Sequence, residues 1–124
     1  MSEISKAAFL GIDTSNYRTS AALYYADGSY VNSRKLLPVP MGEKGLRQND
    51  AVFAHVKQFS EVLSNLGLEN TVIKGVGVSY APRNTAGSYM PCFSFGVTVA
   101  ESIAYALKVP CLKFSHQQGI LPQV

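Results

Sequence analysis

The 124 residues predict an α/β domain built on a mixed five-stranded sheet with strand order 3-2-1-4-5. Three observations predict it. The first is a run of three short strand-like segments before any helical period. The second is two helical stretches, each followed by another strand. The third is a first strand that is apolar throughout, as a strand buried on both faces must be. The chain fits one domain spanning residues 1–124, with its core at about residues 7–114.

Residues 7–13 (Ala-Ala-Phe-Leu-Gly-Ile-Asp) form the apolar first strand, closed by a carboxylate. After a polar turn, residues 18–25 form a second strand. Ala26-Asp27-Gly28 supplies a hairpin turn, because Asp-Gly accepts the positive φ such a loop needs. Residues 29–37 return as a third strand, completing an antiparallel meander. Two prolines and two glycines make residues 38–45 a loop. Asn49 or Asp50 then caps a helix to about Leu66, with Phe53, Val56, Phe59, Leu63 and Leu66 as its apolar stripe and Gly67 as its stop. His55 falls on this helix with no spaced partner and reads as a surface or boundary residue.

The fourth strand covers residues 72–79, where the glycines mark close approach of a neighbour. A second helix spans 92–107 and is apolar on nearly every side (Phe93, Val97, Ala100, Ile103, Ala104, Leu107), so more than its own sheet should cover it. Residues 110–114 make a fifth strand. This succession is ribonuclease-H-like, with helices on the sheet faces and right-handed crossovers. The fold normally adds a helix after its fifth strand; here only ten residues follow, and the final helix is expected to be missing.

Net charge is +3, the pI is near 8.9, and the cations are scattered along the chain. No basic stripe with interleaved aromatics stands out, so direct nucleic-acid binding is not expected. Cys92 and Cys111 lack metal or CxxC spacing and read as buried thiols of a reducing compartment. With neither a signal peptide nor a membrane span in view, a cytoplasmic protein is expected.

Three places could carry chemistry. The turn Asp13-Thr14-Ser15-Asn16 follows a central strand; its N–H groups could cradle a phosphate and its carboxylate could hold a hydrated magnesium ion. It could equally be a plain polar turn held by local hydrogen bonds. The loop with Arg83, Gly87 and Ser88 leads into the second helix, whose N-terminus could attract an anion; a capped crossover loop is the alternative. His116 is a possible metal ligand, but a helical pair needs a second histidine four residues on, where Ile120 stands. No nucleophile–base pair is visible, so no catalytic residue is assigned. A nuclease would need several converging carboxylates, and only Asp13 and Glu61 are on offer, with nothing in the pattern to aim Glu61 at the site.

Five ordered blocks resemble a known family: Gly11 to Tyr17, Arg34 to Val39, Gly45 to Gln48 with Asp50 to Phe53, Gly87 to Pro91, and Phe114 to Gln117. Together they are similar to the N-terminal lobe of the TsaD/glycoprotease family, nearest a divergent bacterial branch known as O-sialoglycoprotein endopeptidase. The resemblance implies an actin/hexokinase/Hsp70-like ATPase lobe. It also implies a relation to tRNA threonylcarbamoyladenosine modification, with ATP or threonylcarbamoyl-adenylate and a divalent metal in the full-length enzyme. By that resemblance Asp13 to Asn16 line the phosphate side of a nucleotide cleft, and His116 matches the first of two metal histidines. Departures are evident: Ile120 replaces the second histidine, Gln118 a usual Glu, and Tyr17-Arg18 an acidic pair.

The family's second lobe is absent from these residues, so the expectation is a truncated lobe with little activity alone. The alternative is a non-catalytic, dimerising partner like TsaB, a degenerate relative in the same pathway. A homodimer or larger assembly through helix 92–107 is then expected, with other tRNA-threonylcarbamoylation proteins as possible partners. A metalloendopeptidase is the remaining reading, against which the broken histidine pair argues.

Overall fold

The computed structural model describes residues 6–14, 18–38, 48–81 and 90–115. Its elements in order are β1 (Lys6–Asp13), β2 (Arg18–Tyr25), β3 (Tyr30–Leu36), α1 (Gln48–Ser64), β4 (Thr71–Ala81), α2 (Met90–Leu107) and β5 (Cys111–Ser115). The sheet order is β3-β2-β1-β4-β5. β1 runs antiparallel to β2 and β2 to β3, whereas β4 lies parallel to both β1 and β5. This is the predicted ribonuclease-H-like succession.

Local chemistry explains each boundary. At the β2–β3 hairpin Gly28 takes φ +92°, and Asp27 Oδ1 accepts from the Ser29 N–H at 2.9 Å and its hydroxyl at 2.6 Å. Helix α1 stops where Gly67 adopts φ +70°. Helix α2 stops at Lys108, which takes φ 60° without being glycine, while the Val109 N–H reaches back to the Ala104 carbonyl at 3.0 Å. The β1–β4 register shifts between Ala8 and Phe9, and beyond the shift the Phe9 ring lies directly over Gly75. Any Cβ at Gly75 would strike that ring, which is the close approach its glycine implied.

Both helices lie on the same face of the sheet, and a T-shaped contact between Phe59 and Phe95, with centroids 5.8 Å apart, joins them. Lys35 of β3 pairs with Glu61 of α1 at 2.8 Å, and Lys113 of β5 with Glu101 of α2 at 2.7 Å, one pair near each edge of that layer. The core between sheet and helices consists of Ala8, Leu10, Ile12, Ala21, Leu23, Val76 and Val78, with Phe59 and Val62 from α1, Leu66 from the turn after it, and Ala100 and Ala104 from α2. Each large member stabilises the fold by about 1.5–3 kcal/mol on burial.

One sequence expectation, the buried stripe of α1, is corrected here. The buried face of α1 runs Ala51, Ala54, His55, Gln58, Phe59 and Val62, with Leu66 buried just beyond its end, while Phe53 is 60% and Val56 47% exposed. The polar pair His55 and Gln58 takes the inward positions because β2 and β3 offer it hydrogen-bond partners. Helix α2 is not enclosed at its C-terminal end, where Tyr105 is 87% exposed and Leu107 is also exposed. Among the described residues no helix is long and apolar enough to cross a membrane.

Candidate functional site

Asp13 ends β1 and is half-buried, beside the C-terminal part of the parallel neighbour β4. Ile12 aligns with Val78, which sets Ser79 next along from Asp13. Ser79 is almost wholly buried, and its hydroxyl has no hydrogen-bond partner. Such a group is uncommon in a packed interior and marks a place where a ligand or water could be accommodated.

Thr14, the other described member of the predicted turn, has a different role. It is fully buried, and its Oγ1 donates to the Cys92 carbonyl at 2.6 Å, tying the end of β1 to the first turn of α2. The helix reaches this close because Gly96 faces the threonine; a Cβ there would sit 2.5 Å from Thr14 Oγ1. Thr14 therefore acts as a clamp between strand and helix. Ser15, Asn16, Arg83, Gly87, Ser88, His116 and Ile120 lie outside the described residues.

A buried polar cluster lies on the helix side of β2. Thr19 Oγ1 is 2.8 Å from His55 Nδ1 and accepts from Gln58 Nε2 at 3.0 Å. Gln58 Nε2 also reaches the carbonyls of Lys35 at 3.0 Å and Leu36 at 3.4 Å. His55 and Thr19 are fully buried, so the histidine read as a surface residue is an interior one. No helical period could have shown this, since His55 lies between apolar neighbours and its partner is 36 residues away. The cluster braces α1 against β2 and β3.

Burial pushes the Cys92 thiol above its ordinary range. Cys111 moves the same way, chiefly by burial, with Glu101 adding to the rise. Neither thiol is activated as a nucleophile. Among the described residues no group of three or more His, Cys, Asp or Glu side chains could hold a metal ion. An open groove of about 250 Å³ flanks α1, lined by Pro38, Asp50, Phe53, Ala54, Lys57 and Gln58.

No protein-family model and no curated protein sequence matches the chain. Solved structures do. YeaZ from Pseudomonas aeruginosa is 17% identical with a TM-score of 0.59, over 88% of this chain and 43% of that one. A second structure, described as a protein with similarity to the peptidase YeaZ from Pseudomonas aeruginosa, is 17% identical with a TM-score of 0.57 over the same shares. At this identity the likeness establishes the fold, and the chain spans less than half the length of the solved proteins it matches.

Proposed function

We propose that this chain is a non-catalytic, self-associating lobe of the TsaB kind, serving as a partner in tRNA threonylcarbamoyladenosine modification. The fold likeness to YeaZ, the TsaB protein of the glycoprotease family, supports this reading over a catalytic TsaD lobe. The observation that carries it is the outer side of the helical layer. There α1 exposes Phe53 and Val56 beside an open groove, and α2 exposes Tyr105 and Leu107. Large apolar side chains left outside a core are the usual anchors of a protein–protein contact, and a groove beside them can receive a partner's side chain.

Light scattering across a concentration series tests the reading. The wild-type chain is expected to form dimers. The double substitution Phe53→Glu, Val56→Lys is expected to shift the dimer constant at least about tenfold toward monomer without lowering Tm, since both residues are exposed. A wild-type chain that stays monomeric at high concentration would remove the proposal.

Asp13 and the unsatisfied Ser79 favour a second reading, a half-site for the phosphates of a nucleotide at the ends of β1 and β4. A single lobe offers one wall of such a cleft and orients its ligand poorly. Titration calorimetry with Mg-ATP is therefore expected to show weak binding, lost in Asp13→Asn. Low-micromolar affinity that survives Asp13→Asn would count against this reading.

A further inference from the structure

The face of the sheet turned away from both helices carries a row of aromatic side chains. Strand alternation, anchored by the Lys35–Glu61 and Lys113–Glu101 pairs and the Thr19–His55 contact on the helix side, puts Phe9, Tyr24 and Tyr30 on this second face. They are direct cross-strand neighbours: Phe9 aligns with Tyr24, and Tyr24 with Tyr30. The Tyr24 and Tyr30 rings lie 6.0 Å apart and 30° from parallel. Tyr30 is 59% exposed, and Phe9 and Tyr24 are half-buried. The same alternation places Arg34 and Arg18, both exposed, further along this face on β3 and β2. Glu61 and Glu101 are on the opposite face, held in ion pairs.

We propose that this surface is a stacking platform for single-stranded nucleic acid. The bases would lie on Tyr30 and Tyr24, and the backbone phosphates would run toward Arg34 and Arg18. Aromatic rings on an open sheet stack bases whatever their sequence, and flanking arginines supply the counter-charge for phosphate. Asp13 is the one carboxylate that the described strands place on this face, in the row that runs through Ser20 to Arg34. A second copy of the chain fits less well: a two-fold contact through this face would bring two arginines of each copy against two of the other, with a single carboxylate per copy to offset them. The proposal departs from the expectation drawn from scattered charges. Arg18 and Arg34 are sixteen positions apart in the chain, and only the β2–β3 hairpin brings them to one face. It is independent of helix-mediated self-association, which uses the other side of the sheet.

Fluorescence polarisation with a labelled oligouridylate of about ten nucleotides tests it, at roughly 50 mM and 200 mM salt. Wild-type chain is expected to bind, more weakly at the higher salt. Tyr30→Ser and Arg34→Glu should each weaken binding about tenfold, whereas Lys108→Glu, at the exposed end of α2, should leave it unchanged. Both tested positions are exposed, and an unaltered Tm confirms that the variants fold. Absence of binding at low salt, equal loss in Lys108→Glu, or duplex RNA bound as tightly as the single strand would each overturn the proposal. So would a light-scattering dimer that Tyr30→Ser disrupts, because the face would then be occupied by a second copy.

Discussion

Thr19 sits between two side chains of α1, and its hydroxyl is what allows a histidine and a glutamine to point inward. Replacing it with valine keeps the shape and removes the oxygen. The His55 ring and the Gln58 amide each lose a contact inside the fold. Leaving buried polar groups short of a partner costs about 1–3 kcal/mol. Denaturant unfolding of Thr19→Val is expected to show a loss of that size, with Thr19→Ser retaining most of the stability. A loss below roughly 0.5 kcal/mol in Thr19→Val would mean the cluster contributes little. Asp13 was legible as a candidate from its position after an apolar run, because a carboxylate ending a buried strand stands out. The role of Thr14 was not legible, since its acceptor is a main-chain carbonyl 78 residues away.

At the scale of elements, α2 is held to the sheet by small residues at a spacing of four: Gly96, Ala100 and Ala104 are all buried. This stripe lets the helix backbone lie close over β1 and β4. Gly96 is the tightest point, and Thr14 cannot easily yield there because its hydroxyl is bonded to Cys92. Gly96→Ala should therefore destabilise by about 1–3 kcal/mol through overpacking, despite the ~1 kcal/mol that alanine gains over glycine in a helix. In a Thr14→Ala background the same substitution should be neutral or stabilising. A Gly96→Ala variant more stable than wild type would sink this account of the packing. The end of α1 could be read from Gly67, which acts locally; its start lies at Gln48, ahead of the cap expected at Asn49 or Asp50, so Asp50 falls inside the first turn. The buried face of α1 could not be read, because Phe53 and Val56 satisfy the helical period as well as the true core residues do.

Across the whole molecule, one face of the sheet is covered by two helices and the other presents an aromatic row with arginines alongside. Cys92 reports on the integrity of the covered side, being buried with a thiol held above its ordinary range. Its alkylation at pH 8 is expected to be slow, to follow global opening, and to accelerate in parallel with the stability loss of Gly96→Ala. Rapid labelling of Cys92 in the stable wild-type chain would show that α2 opens by itself. Sequence alone determined the order of strands and helices, the hairpin at Asp27-Gly28 and the stop at Gly67, because these follow from hydrophobic period and from backbone φ within a few residues. Tertiary structure alone decided that His55 is an interior residue, that Thr14 is a clamp, and which side chains share each face of the sheet. Those depend on strand register and on how the helices pack over it, contacts between segments tens of residues apart that no local pattern encodes.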